Sequence, residues 1–148
     1  MNLCSLYKYF FNIFAKKITM DIEEQIRKSE TRQVKVVFKN LINDHNTLFG
    51  GIALQWMDEV AYITATRFCR KKVVTTSTGK ISFKKPIPYG TIVELVGKIA
   101  KVGTVKLEIN IQIFTEEKYS DSREKAVEGN FIFAAVDDNN MPVKLLEE

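Results

Sequence analysis

The chain has 148 residues, 45% of them hydrophobic and 27% charged, with seven glycines and three prolines. That is the length and balance of one globular domain with a real core, and it excludes a disordered or low-complexity chain. The net charge of +4 includes Lys8, Lys16 and Lys17 in an acid-free stretch of residues 1–19; without those three lysines about +1 is left, so the basic balance does not point to nucleic acid.

The first stretch, MNLCSLYKYFFNIFAKKIT, is apolar, aromatic and lysine-bearing. It is too short and too interrupted to span a bilayer, and it lacks the basic start and small-residue cleavage site of a secretory signal. After Met20 the text turns charged and reads like the start of a soluble protein. Residues 1–20 are therefore read as an N-terminal extension, either a misassigned start or a disordered segment. A peripheral membrane anchor or targeting peptide is the other reading. The two cysteines, Cys4 and Cys69, lie far apart and show no metal-ligand spacing, which suits a reducing compartment.

From Thr31 the pattern becomes regular. Gln33–Phe38 alternates like a strand, and KNLINDHNT follows as a polar loop. Gly51 to Arg70 predicts one long helix, apolar at Ile52, Leu54, Trp56, Met57, Val60, Ala61, Ile63 and Phe68, hence buried on most faces. Its end in Arg70–Lys72 places cations where the helix dipole favours them. Val73–Phe83 is β-branched and interrupted at Gly79, where a bulge or bend is expected. Lys84–Gly90, KKPIPYG, is a proline-marked connection. Thr91–Val102 and Thr104–Phe114 predict long strands joined by a tight hairpin at Gly103. A charged loop then leads to a last strand, Lys125–Asp137, and a tail. One helix followed by antiparallel strands is an α+β layer design, a single helix against a curved sheet.

The chemistry concentrates in NDHNTLFGGIALQWMDEV. Gly50 and Gly51 stand where a helix begins, and a helix start offers unpaired N–H groups and partial positive charge. Without side chains there, a carbonyl oxygen can approach those N–H groups as in an oxyanion hole; the glycines could equally serve only to let the helix enter beneath a strand. Asp58 sits in an apolar helix, which is costly unless the carboxylate is paired, hydrogen-bonded or used. It is a candidate general base, or else a carboxylate bonded to a strand residue or to Arg67. Gly51 and Asp58 are two turns apart, so they share a face but lie about 10 Å apart along the axis. One carbonyl cannot touch both. If both act on one substrate, they come from two subunits with antiparallel helices, and the protein is a homodimer.

With Asn43 and the later segments VVT, ISFKKPI and KVGT, this pattern resembles the hotdog-fold acyl-CoA thioesterases, in particular the YciA-like and cytosolic acyl-CoA hydrolase branch. The resemblance spans about Gln33 to Pro142. It implies a hotdog fold over residues 21–148, a curved antiparallel sheet wrapped round a long central helix. It implies hydrolysis of acyl-CoA to a carboxylic acid and coenzyme A, in the cytoplasm and in fatty acid metabolism. By the same resemblance Asp58 activates water, or attacks directly through an anhydride. Asn43 orients water or carbonyl, and Gly51, with Gly50, holds the oxyanion. Lys85 matches a position often basic in relatives and is expected to meet the phosphates of coenzyme A; Lys84, Arg67 and Arg123 are weaker candidates. No cofactor or metal is implied beyond coenzyme A as part of the substrate. The implied partners are the acyl-CoA and further copies of this chain, as homodimers with shared sites or trimers of dimers, with no nucleic acid and no stable membrane insertion. Two positions depart from the family pattern: many relatives carry glycine at Asn46 and an acidic residue at Gly79.

Two other functions fit such a fold. A hydroxyacyl-thioester dehydratase relies on a catalytic histidine; the one histidine here, His45, reads as a loop residue. A non-catalytic acyl-CoA sensor needs an output module, and residues 1–30 are too short for a DNA-binding domain.

Overall fold

The structure, a computed structural model, describes residues 3–147, with only the backbone of Met20. Helix α1 (Leu3–Ser29) leads into strand β1 (Thr31–Val36) and a 3-10 turn at Lys39–Leu41. The long helix α2 (Gly50–Cys69) follows, then β2 (Val73–Thr78), the short β3 (Ser82–Phe83), β4 (Ile92–Val102), β5 (Lys106–Glu116) and β6 (Arg123–Ala135). All pairings are antiparallel, in the order β1-β4-β5-β6-β2, with β3 also on β6. The sheet packs its inner face on α2, which is the expected hotdog arrangement.

Alternation decides which face is which. On β5, Leu107, Ile109, Ile111 and Ile113 are fully buried, while Glu108, Asn110 and Gln112 turn outward. Leu95 on β4 and Phe131 and Phe133 on β6 join the same inner layer. From α2, Ala53, Trp56, Met57, Val60, Ala61, Thr64, Ala65 and Phe68 face it. The helix approaches closest at Gly97: a Cβ there would lie 2.6 Å from Thr64 Oγ1 and 2.9 Å from Val60 Cγ1. Only a missing side chain permits that approach.

Four sequence expectations are refined. First, α2 starts at Gly50 and stops at Cys69, because Arg70 turns left-handed (φ 51°) while its N–H still bonds Thr66 O. Second, α2 is not buried on most faces of a single chain. Gly51, Leu54, Gln55, Glu59 and Tyr62 form an exposed stripe that its own sheet does not cover. Third, the strand does break at Gly79, whose N–H bonds Asn130 O at 2.8 Å. The register shift, however, falls between Thr75 and Ser77, where the Thr76 hydroxyl donates to Ile132 O. Fourth, the apolar start of the chain lies in a helix, α1, which runs on past Met20 to Ser29. The hairpin expected at Gly103 is present, with Gly103 N–H donating to Lys106 O at 2.8 Å.

Candidate active site

Two loops meet at the start of α2. Asn43–Phe49 runs beside Lys84–Gly90: Leu48 N–H donates to Ile87 O at 2.7 Å, Tyr89 N–H donates to Asn46 O, and Thr47 bridges to Pro88. Between them and the helix lies a cavity of about 290 Å³, walled by Leu48, Gly50, Ala53, Phe83, Ile87 and Val127 and edged by Lys84 and Lys85. Gly50, Lys84 and Lys85 are thus brought together at one cavity.

The helix start is open. Phe49 occupies the cap position without a side-chain cap, and its carbonyl accepts from Ile52 and Ala53. Among the described residues no acceptor meets the N–H of Gly50 or Gly51. Those two donors, with the positive end of the helix dipole, form an anion-stabilising spot beside the cavity.

Asn43 shapes the approach. Its Oδ1 accepts from the N–H of His45 at 3.0 Å and of Thr47 at 3.2 Å, and Nδ2 lies 3.0 Å from Thr47 Oγ1. Within one protomer its side chain is engaged in holding the loop that delivers Gly50 and Gly51. Asn46 sits in the same loop at φ 60°. Glycine adopts that conformation freely and asparagine tolerates it better than most residues, which accounts for the departure at this position. The His45 side chain is exposed, with Nε2 3.7 Å from Asp44 Oδ1.

Asp58 lies two turns along α2 from Gly51, on the side of the helix that carries the exposed stripe, and is not among the residues that wall the cavity. It is half-buried, and Thr75 Oγ1 of β2 donates to Oδ1 at 3.0 Å. Of the partners left open by the sequence, a strand residue rather than Arg67 is the one found. Thr75 was not among the residues singled out from the sequence. The signal for it was the hydroxyl-rich VVTTST that leaves the helix and returns along it. Among the described residues the other edge of β2 carries no strand, and Leu54 and Tyr62 on α2 and Val74 on β2 are exposed.

The remaining candidates stand apart. Arg67 is near the far end of α2, where it donates to Glu30 O and Thr31 Oγ1, both at 3.3 Å. Arg123 lies on the outer sheet face, stacked 3.8 Å over Phe114 and paired with Glu94. Arg123 and Arg32 together hold the Glu94 carboxyl below its ordinary range. Lys85 pairs with Glu124 at 2.6 Å and Lys84 with Glu128 at 3.1 Å. Among the described residues no group of three or more His, Cys, Asp or Glu is placed to hold a metal, and no helix is long and apolar enough to cross a membrane.

The family model of the Thioesterase superfamily matches residues 45–121, which contain the helix start, Asp58, Thr75 and both lysines. The chain belongs to the thioesterase superfamily. It is 35% identical over 117 residues to the uncharacterized acyl-CoA thioester hydrolase YkhA of Bacillus subtilis, covering 79% of this chain and 68% of that one. An acyl-CoA hydrolase from Staphylococcus aureus, solved with butyryl coenzyme A and coenzyme A, superposes with a TM-score of 0.77 at 32% identity, covering 80% and 73% of the two chains. Solved variants of that thioesterase replace an asparagine, an aspartate and a threonine by alanine, and their successive separations of 15 and 17 residues equal those from Asn43 to Asp58 and from Asp58 to Thr75. A hexameric thioesterase from Yersinia pestis superposes with a TM-score of 0.72 at 27% identity, covering 78% of this chain and 93% of that one.

Proposed function

We propose that this thioesterase hydrolyses acyl-CoA to a free carboxylic acid and coenzyme A at a site shared between two protomers. The observation that carries the reading is the Thr75–Asp58 pair on the open face of α2, with Asn43 and Asp58 at the spacing found in the Staphylococcus aureus acyl-CoA hydrolase.

The acyl group enters the cavity beside Gly50, and the thioester carbonyl oxygen points at the free N–H groups of Gly50 and Gly51. Asp58 of the facing subunit, held in orientation by its Thr75 hydroxyl, takes a proton from water as the water oxygen attacks the carbonyl carbon. Negative charge moves to the carbonyl oxygen, where the helix start stabilises it. The intermediate then collapses, the C–S bond breaks, and the proton on Asp58 passes to the departing thiolate. Asn43 positions the loop and, through it, the two glycine donors. Lys85, with Lys84 beside it, meets the coenzyme A phosphates at the cavity edge; each is paired with a carboxylate in the free protein, so binding exchanges one anion for another. No cofactor is needed beyond the coenzyme A of the substrate.

The two-subunit site is supported by geometry. Gly51 and Asp58 share the exposed stripe yet lie about 10 Å apart along the axis. That stripe continues into Val74 and the unpaired edge of β2, a surface that invites a partner. A two-fold dimer with antiparallel α2 helices covers it and brings Gly51 of one chain to Asp58 of the other. Dimers of this kind assembling into hexamers fit the hexameric relative. Cys4 and Cys69 are both free thiols, which suits a reducing, cytoplasmic setting.

The test is release of free thiol from acyl-CoAs ranging from acetyl to palmitoyl. Turnover that disappears in Asp58→Ala supports the proposal. Binding without turnover in the wild type points to a sensor, and hydration of an enoyl-CoA to a dehydratase; either outcome overturns it.

A further inference from the structure

Every side chain described from Leu3 to Thr19 is exposed, including Leu3 at 88%, Tyr7 at 79% and Phe11 at 66%. α1 packs on α2 and β4, with Ile26 against the core, and Phe14, Ile18 and Ile22 wall a cavity of about 590 Å³ with Leu146 and Glu147. Among the described residues, the aromatic and aliphatic side chains from Leu3 to Phe11 are therefore carried on an arm that the rest of the chain leaves exposed.

The arm is two-sided. At 3.6 residues per turn, Leu3, Leu6, Tyr7, Phe10, Phe14 and Ile18 share one face. Ser5, Lys8, Asn12, Lys16 and Thr19 share the opposite one. Lys17 falls within the apolar face, between the positions of Leu6 and Phe10, where its long stem can lie along apolar surface while the ammonium reaches out to polar surroundings. Every charge from Leu3 to Thr19 is positive, and the first acid, Asp21, comes where the helix begins to meet the body. The arm is not apolar enough to cross a bilayer.

We propose that Leu3–Thr19 of α1 is an interfacial helix that docks this protein on an anionic lipid surface. An apolar face rich in aromatic rings, backed by lysines and free of acids, is the pattern of a helix that lies in the headgroup plane. The charge selects this occupant over a second copy of the arm. Two arms pressed together on their apolar faces would bury Lys17 of each in the seam with no acid from Leu3 to Thr19 to pair it, whereas anionic headgroups neutralise it. Docking holds the cavity near the membrane, where an acyl-CoA with a long tail partitions.

The test is flotation of the full chain with phosphatidylcholine vesicles containing about 30% phosphatidylglycerol, against vesicles of phosphatidylcholine alone. The protein floats with the anionic vesicles at low salt and is released by high salt. Phe10→Ser with Phe14→Ser, and separately Lys8→Glu with Lys16→Glu, each lower the bound fraction at least about tenfold, while turnover of soluble butyryl-CoA and the circular dichroism of the body match the wild type. Failure to float with anionic vesicles overturns the proposal. So does flotation that is equal on neutral vesicles and indifferent to the lysine variant. A change in the lipid-free molar mass on replacing Phe10 and Phe14 also overturns it, because a second copy then covers the arm.

Discussion

The Thr75 hydroxyl donates to Oδ1 of Asp58 at 3.0 Å, tying the middle of α2 to the edge strand β2. It is the one hydrogen bond that the described residues give this half-buried carboxylate. A hydroxyl that only aims a base acts through that base, and its loss shows in turnover more than in binding. Asp58→Asn should lower kcat by about 10²- to 10⁴-fold with the fold intact. Thr75→Ala should lower kcat about tenfold with KM little changed, and Thr75→Ser should restore most of it. Steady-state kinetics on one acyl-CoA separates the two.

Lys85 stands at the cavity edge with Glu124 as its present partner. Lys85→Ala should raise KM for acyl-CoA about three- to tenfold and leave kcat nearly unchanged, because phosphate contacts are made equally in the ground and transition states. The effect should shrink for an acyl-pantetheine thioester that lacks the nucleotide phosphates.

Gly97 tests how α2 is seated. A Cβ there meets Thr64 Oγ1, Val60 Cγ1 and Ile111 Cδ1, all within 3.0 Å, and the Thr64 hydroxyl is held in place by its bond to Val60 O. Gly97→Ala should therefore destabilise the protein by about 1–3 kcal/mol, read as a lower urea midpoint with an unchanged slope.

Glu128 gives the acid dependence. Hydrogen bonds from Gln112, Lys125 and Lys84 hold its carboxyl at about 2, well below the ordinary 4.5. A carboxyl depressed on folding contributes stability that is complete above its unfolded value and is lost as pH falls through its folded value. Glu128→Gln should therefore be less stable than the wild type at neutral pH, and the gap should close between about pH 5 and about 2. Urea midpoints across that range measure it.

The sheet was legible in the sequence because its strands alternate cleanly. Lys106–Glu116 shows the period-two pattern in both letters and burial, and Gly103 marks its hairpin. The long helix was legible too, but its coverage was not. Leu54 reads as core from its chemistry, yet it lies with Tyr62 on the stripe that a single chain leaves open. Apolar periodicity does not tell a chain's own core from a partner's. Gly50 follows from the chemistry of a helix start, and Lys84 and Lys85 from the family resemblance; the structure brings the three to one cavity. Thr75 was passed over because its role comes from a hydrogen bond across 17 residues, which no local pattern carries. The arm of α1 was missed as a helix because its aromatic run was judged by length and charge rather than by which side chains share a face.

The shared site is tested most directly by mixing subunits. Asn43→Ala damages the helix-start half of a site, whether Asn43 touches substrate or acts through the loop it holds, and Asp58→Ala removes the base from the other half. Each variant alone should be nearly inactive. After the two are mixed, unfolded together and refolded, half of the dimers carry one of each, and each such dimer has one intact site. The account predicts recovery to about a quarter of wild-type turnover. Activity no higher than the mean of the two parent variants, in a mixture shown to contain heterodimers, would contradict it.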